Sequence, residues 1–411
     1  MQTLLIIGGG ASGFFTAINA ARLNPALKVI VAEKTNKLLS KVKVSGGGRC
    51  NVTNSISGIS PFAANYPRGE KFMKRVLHHF SNEHIVSWFA TRGVQLKAET
   101  DGRMFPVTDD SQTIIDCFLS EATKYRVEIL MKHELLLLSK QSQKWKATFA
   151  NQEPITADFV CIAAGGMMKG ETHPFLKNLE HQIGPPVPSL FTFNIPNNAI
   201  TKLMGTSVAD AIVKIQGTKL QQQGPVLITH WGLSGPAVLK LSAFGALELH
   251  QKNYHFSVSV NWAGIKNENE VREQILQTRN NFGSKKIINQ KPADIPVRLW
   301  EYILQQAGAT AEMQWAKVPA TIQNKIFNLL VQSHFEVKGK TTFKDEFVTA
   351  GGIGLHEVDT NTMESKLYPN IFFAGEILNV DGITGGFNFQ HAWASGWLVA
   401  NAISNKIKIA E

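Results

Sequence analysis

The sequence predicts an α/β protein: a Rossmann-like, mostly parallel, three-layer sheet built from strands near both chain ends, with a β-rich and then a helical stretch in the middle. Three observations predict it. A strand, glycine loop, helix and second strand open the chain. Two further apolar strands, at 159–163 and 370–373, run into glycine-rich turns. Between 189 and 331 the apolar pattern changes from short strand-like runs to helical spacing.

Composition agrees with a folded protein. The 411 residues are 44% hydrophobic and 18% charged, with 33 Gly and 16 Pro, which excludes a disordered tail, a collagen-like rod and a coiled coil and leaves room for two or three domains. Lys and Arg number 42 against 32 Asp and Glu, a formal charge of +10. That surplus attracts anions, but it is spread along the chain without a dense basic run, so nucleic acid is not the expected partner. Cys50, Cys117 and Cys161 are odd in number and widely spaced, which argues against a disulfide framework, a zinc ribbon or a redox dithiol. No apolar run approaches the ~18–20 residues of a membrane span. The opening MQTLLIIGGG has no basic n-region or cleavage-like site, so it reads as a strand and not a signal peptide, and a cytoplasmic location is expected.

Thr3–Ile7 reads as a buried strand. Gly8, Gly10 and Gly13 then form G-x-G-x-x-G, Ala11–Asn24 reads as a helix stopped at Pro25, and Val29–Ala32 as the next strand with Glu33 at its end. In this context the triplet is a dinucleotide fingerprint. Gly8 permits the tight turn, Gly10 lets the main chain approach a pyrophosphate, and Gly13 lets helix and strand pack closely. The amides of Ala11 and Ser12 at the helix start attract phosphate. Glu33 can accept from ribose hydroxyls, with Lys34 beside it, and an acid here disfavours the 2′-phosphate of NADP. The alternative, glycines that merely turn the chain, explains neither the helix start nor the acid.

The far end distinguishes FAD from NAD. The strand Asn370–Phe373 leads into Ala374-Gly375-Glu376, then Asp381-Gly382 and Gly385-Gly386, then a helix from Phe387 to about Ala402 with Asn388 in its first turn. A glycine turn opening a helix offers bare amides and a positive dipole end, suited to flavin N1 and the C2 carbonyl, where negative charge gathers on reduction. Taken alone, a plain turn is the lesser alternative. A third strand, Phe159–Ala163, runs into Ala164-Gly165-Gly166. Three separated strands ending in glycine turns suggest one sheet holding one long ligand across Ala163 and Gly165.

Other stretches resemble a known family, the aminoacetone-oxidase/BaiN-like flavoproteins. The matching segments are Lys41 with Ser45-Gly46-Gly47-Gly48-Arg49-Cys50-Asn51-Val52-Thr53-Asn54; Asp101-Gly102-Arg103-Met104-Phe105-Pro106; Thr229-His230-Trp231-Gly232-Leu233-Ser234-Gly235-Pro236; and Thr362-Met363-Glu364-Ser365-Lys366, continuing to Gly385-Gly386. They run in family order over nearly the whole chain. The resemblance implies an FAD-binding domain from 1–188 and 340–411, an inserted β-barrel-like substrate domain from 189–264 and 331–339, and a helical insert from 265–330. It implies an FAD-dependent oxidoreductase, with amine oxidation and enone reduction both represented in the family. Three departures are visible: Ala163-Ala164-Gly165-Gly166 replaces A-T-G-G, the segment 167–181 is shortened, and Asn379 stands where Asp is frequent.

The middle of the chain fits on its own pattern. Leu190–Ile195, Ala211–Ile215, Val226–Ile228 and Phe256–Val260 read as short strands. Val271/Ile275, Val297/Trp300/Leu304 and Ile322/Ile326/Leu329 fall at helical spacing, Asp294 with Pro296 reads as a helix start, and Phe335–Phe347 as a returning strand.

Gly46 and Gly47, with Gly48, leave a main chain against which a flat ring can lie. Arg49 and Asn51 are the nearest polar groups to tune it; Arg49 can equally bind a substrate anion or tie the loop to a carboxylate. Lys41 can reach phosphate or ribose, or sit on the surface. Cys50 lacks a partner thiol and reads as a small packed residue. His230 is a candidate acid or base, and equally a structural donor. His391 reads as a packed helix histidine. Ser45, Glu376, Asp381 and Phe387 complete the expected cofactor contacts. No metal-ligand spacing is present. Hydride transfer between FAD and a small organic substrate held between sheet and insert is expected. No second G-x-G-x-x-G follows a strand, so O2 or a transient NAD(P)H serves the other half-reaction. The rivals are a tRNA-modifying flavoprotein and a non-catalytic flavin-binding module.

Overall fold

The computed structural model describes residues 1–167, 173–265, 267–341 and 348–410. The chain divides into two units, Met1–Pro188 with Lys344–Glu411, and Ser189–Phe343.

The first unit is built on five parallel strands: β1 (Thr3–Ile7), β2 (Lys28–Glu33), β3 (Glu128–Met131), β4 (Phe159–Ile162) and β5 (Ile371–Phe373), in the spatial order β5-β4-β1-β2-β3. Parallel strands covered on both faces read as unbroken apolar runs; Leu4, Leu5, Ile6, Val31, Val160 and Phe372 are fully buried. The order reverses between β1 and β4, whose Ile7 and Ile162 are directly paired. A crevice opens beyond the carboxyl ends of strands at such a reversal.

Helix α1 (Ala11–Leu23) and the C-terminal helix α2 (Phe387–Ala410) pack together along this sheet. Ser12, Gly13, Thr16 and Ala20 of α1 are buried, and a Cβ on Gly396 of α2 would stand 2.9 Å from Thr16 Oγ1. An aromatic cluster of Phe15, Phe80, Trp88, Phe89, Phe118 and Trp393 fills the space beside them. Each such ring contributes on the order of 1.5–3 kcal/mol by leaving water. Helix α2 runs eight residues past the expected end, because no Gly or Pro follows Ala402. The unit also holds a three-stranded meander (Leu135–Gln141, Lys144–Phe149, Gln152–Ala157), a small antiparallel sheet (Thr53–Asn54, Arg103–Pro106, Leu96–Ala98) and an antiparallel pair (Ile183–Pro188 with Thr349–Ile353).

The second unit holds a seven-stranded antiparallel sheet that runs from Ser333–Lys338 through His255–Asn261, Ser207–Ile215, Gln221–Thr229, Gly232–Ser234 and Thr192–Asn194 to Lys340–Thr341. Its two edge strands are separated in sequence by Gly339 alone (φ +97°), so the sheet curls until its edges meet, in the manner of a barrel. Helix Pro236–Gln251 packs on it. Helices Glu268–Asn281, Val297–Ala307 and Ala320–Val331 follow, with Trp300 and Trp315 stacked 6.3 Å apart.

Three expectations change. The strand at Leu190–Ile195 contracts to Thr192–Asn194. The return at 335 breaks at Gly339, and residues 342–347 lie outside the described residues. Lys340 and Thr341, assigned from sequence to the first domain, pair with Phe193 and Thr192 in the second unit. Of the shortened segment 167–181, residues 168–172 lie outside the described residues.

Candidate functional site

Gly8, at the end of β1, has φ +115°, and its N–H donates to Ala32 O. Helix α1 starts at Ala11 with Gly10 as an extended N-cap that supplies no side-chain cap. The first-turn amides of Ala11 and Ser12 therefore lack intrahelical partners, and a Cβ on Gly10 would meet nothing within 4 Å. The Glu33 carboxylate is fixed at this loop: Oε2 accepts from Gly9 N and Oε1 from Thr35 N and Oγ1, each at 2.8 Å. A cavity of about 50 Å³ beside it is lined by Gly8, Glu33, Lys34, Ala164, His173 and Phe175, among others. Ala163 N donates to Ile7 O, which brings the turn with Gly165 (φ +78°) against Gly8.

The second segment wraps the first. Gly46, Gly47 and Gly48 take φ values of +58°, +70° and +86°, a run of left-handed backbone that only glycine adopts without strain. A Cβ on Gly47 or Gly48 would meet nothing within 4 Å, so bare main chain faces open space. Arg49 Nη1 donates to Glu99 Oε1 at 2.6 Å, its Nε to Gly46 O at 3.4 Å, and its guanidinium lies 4.0 Å from the centre of the Phe105 ring. The arginine is thus bound to the carboxylate and ring of the segment Glu99–Phe105. That segment also pairs with the loop through Thr53 and Met104.

The third segment closes on both. Ser12 Oγ donates to Ala374 O at 3.2 Å. With its amide oriented to satisfy both neighbours, Asn51 donates to Thr53 O and accepts from Gly386 N, each at 3.0 Å. Asn54 Nδ2 donates to Gly385 O at 3.0 Å, Thr53 Oγ1 to Gln390 Oε1 at 2.8 Å, and Trp393 Nε1 to Val52 O at 2.9 Å. A side chain on Gly386 (φ +89°) would collide with the Thr53 backbone, so this approach requires glycine. Glu376 pairs with Lys41 Nζ at 2.5 Å and accepts from Thr349 N at 3.2 Å; Gly375 N donates to Ser395 Oγ. Asn388 holds Gly382 by a reciprocal pair of hydrogen bonds, and Tyr66 Oη donates to Phe387 O. Asp381 is fully buried and bonded in two places to Arg68.

Burial pushes the Cys50 thiol up to about 12, leaving it protonated and packed. Burial lowers His391 to about 4, and its Nε2 is 3.1 Å from Gly375 O. It is a neutral structural donor. His230 lies exposed in the turn between Gln221–Thr229 and Gly232–Ser234 of the second unit, its ring centre 4.4 Å from that of Trp231.

Within the first unit the structure links the three expected segments through Ser12 to Ala374, Asn51 to Gly386, Lys41 to Glu376 and Ala163 to Ile7, while His230 belongs to the second unit. The structure adds Asn54, Glu99, Arg68, Tyr66 and Gln390, whose partners lie far away in sequence. Asn54 alone carried a signal, as the last residue of the Ser45–Asn54 motif.

This fold and loop set define an FAD-binding oxidoreductase of the Rossmann type. The model of the "HI0933-like protein Rossmann domain" matches residues 2–402, and the chain belongs to that family. It is 28% identical over 405 residues to the Ribosomal RNA dihydrouridine synthase of Escherichia coli, covering 96% of each. It is 25% identical over 414 residues to the 3-dehydro-bile acid delta(4,6)-reductase of Clostridium scindens, covering 99% of this chain and 100% of that one. The 3-ketosteroid delta1-dehydrogenase structure from Sterolibacterium denitrificans shares the fold, with a TM-score of 0.51 at 12% identity over 99% of this chain and 100% of that one. No helix among the described residues is long and apolar enough to cross a membrane.

Proposed function

We propose that the chain is an FAD-dependent reductase that saturates an electron-poor carbon–carbon double bond in a small, carbonyl-bearing substrate. The carrying observation is the convergence of three distant glycine segments in one unit, through Ser12 to Ala374, Asn51 to Gly386 and Ile7 to Ala163. The residues fit FAD. The uncapped amides of Ala11 and Ser12, with Gly8, Gly10 and Gly13 leaving room, suit a pyrophosphate. Glu33 and Lys34 suit the ribose and its neighbourhood, and Ala163, Gly165, Gly375, Glu376 and Lys41 suit the phosphate and ribityl stretch. The bare main chain of Gly47 and Gly48, next to Gly46 and between Ser45 and Cys50, suits a flat ring. FAD, when bound, supplies a hydride donor or acceptor at that ring.

The chain's own part is electrostatic and positional. Gly385 and Gly386 lead into α2, where the first-turn amides at Phe387 and Asn388 and the helix dipole favour negative charge. Asn51 fixes Gly386, Asp381 fixes the approach to it through Arg68, and Arg49 holds the glycine run. The names of the two relatives support reduction: one makes dihydrouridine, the other is a delta(4,6)-reductase. Anaerobic mixing of the purified protein with NADH or NADPH is expected to bleach its flavin colour, and 2-cyclohexenone to restore it. Bleaching by an amine such as aminoacetone, with none by NAD(P)H, overturns the reading in favour of amine oxidation with O2.

An RNA substrate is the second reading. The unit Ser189–Phe343 holds sixteen Lys and Arg against nine Asp and Glu, +7 of the chain's +10. Filter binding of ribosomal RNA at two salt concentrations tests it: affinity that falls steeply with salt favours it, and no retention dismisses it.

A further inference from the structure

A cavity of about 440 Å³ lies in the first unit; of its lining only Arg68, through Asp381, also supports the cofactor cradle. That volume falls within the range of small-molecule sites. Its wall includes Gly69, Gly184 and Gly354, which present bare main chain, and Ile183 and Leu355, which present apolar surface. Four polar side chains complete it: Arg68, Gln182, His356 and Asn379.

Charge and hydrogen-bond polarity determine what fits. Arg68 is matched by the buried carboxylate of Asp381, and His356 Nε2 lies 3.6 Å from Glu357 Oε1. The guanidinium of Arg68 therefore has a carboxylate against it, and a free anion gains no unmatched guanidinium here. Asn379 Oδ1 is already used, accepting from Gly351 N at 3.2 Å. Its NH2 group makes no hydrogen bond among the described residues, although a Cβ on Gly184 would stand only 3.4 Å from it. The orientation of Asn379 is thus set by the Gly351 amide, and its donor end is left to the cavity.

We propose that this cavity is a binding site, separate from the cofactor cradle, for a neutral planar ring bearing carbonyl acceptors, and that Asn379 sets this preference by donating to a ring carbonyl. A flat ring lies against the glycine wall between Ile183 and Leu355. An amine ligand meets a donor where it needs an acceptor, and a carboxylate pays desolvation without a free guanidinium in return.

The test uses the full-length, FAD-loaded protein and needs no turnover, so its outcome is distinct from that of the reductase reading. Ligand-observed NMR titrations with succinimide and 2-pyridone as neutral probes, neither of them the enone used to reoxidise the flavin, and benzoate and cyclohexylamine as charged controls, are paired with crystal soaks that locate the bound probe. The neutral probes are expected to bind in this cavity. Asn379→Asp keeps the oxygen that accepts from Gly351 and replaces the donor by a charged acceptor. It is expected to weaken the neutral probes by about tenfold and to favour cyclohexylamine. Gly184→Val, which fills the wall, is expected to abolish binding. Neutral probes that fail to bind, bind elsewhere, bind less tightly than benzoate, or bind Asn379→Asp equally well overturn the proposal.

Discussion

Asn54 Nδ2 donates to Gly385 O across 331 residues of sequence, at 3.0 Å. The same side chain accepts from Ile56 N through Oδ1, and Gly102 packs against that oxygen, a Cβ there standing 2.7 Å away. One amide thus joins the Ser45–Asn54 loop, the Asp101–Pro106 segment and the glycine turn before α2. Asn54→Ala removes a buried donor and acceptor together, at a cost of about 2 kcal/mol. Because Gly385 then loses its anchor, FAD affinity is expected to fall alongside thermal stability. Fluorescence titration of the apoprotein with FAD measures the first, and calorimetry the second. A variant that loses stability but binds FAD as tightly as before contradicts a role for Asn54 in shaping the cradle.

Arg49 is expected to work through the glycine run it holds. It is bound to Glu99 and stacked on Phe105, and Glu99 is bound in turn to Arg103 at 2.8 Å. Arg49→Ala is expected to slow flavin reduction by between about ten- and a hundredfold, as a displaced reacting centre does. Glu99→Gln separates two explanations. If Arg49 acts by holding Gly46–Gly48, stopped-flow reduction of Glu99→Gln slows in the same way. If Arg49 binds a substrate anion, releasing it from Glu99 leaves the rate unchanged or raises it.

What could be read from the sequence was local. Four of the five parallel strands were legible, three because an apolar run ended in glycine and Val29–Ala32 because it followed the fingerprint helix; Glu128–Met131 was not, and Glu33 was legible because it follows Gly13 by a fixed interval. Asp381 was legible as a motif residue, but its burial against Arg68 was not, since nothing near Arg68 marks a partner 313 residues on. The meander at 135–157 escaped for a different reason: Leu135–Leu138 is a continuous apolar run, yet Leu136 and Leu137 are exposed, so the alternation that identifies a half-buried strand is absent. The cradle depends on pairings such as Thr53 with Gln390, which periodicity does not encode.

The cysteines are expected to resist alkylation in the folded protein. Burial raises Cys50 and Cys161 to about 12 and Cys117 to about 11, so little thiolate exists at pH 8. Mass spectrometry after iodoacetamide treatment is expected to find all three unmodified until denaturant is added. Rapid modification of Cys50 in the native state indicates instead that the loop opens, because its Sγ is reachable only if Gly46–Asn51 moves.

Acid is expected to destabilise the protein through His391. Its folded pKa is depressed to about 4, against an ordinary value of 6.5, because charging a fully buried imidazole is costly. Between those values the unfolded chain binds the extra proton and the folded chain does not. Stability is therefore full above pH 6.5 and falls as pH drops toward 4, by roughly 3 kcal/mol over the interval. His391→Gln keeps an N–H for Gly375 O and removes the titration. Denaturant midpoints measured from pH 7.5 to pH 4.5 are expected to decline less steeply in this variant than in the parent. Parallel declines assign the acid sensitivity to groups other than His391.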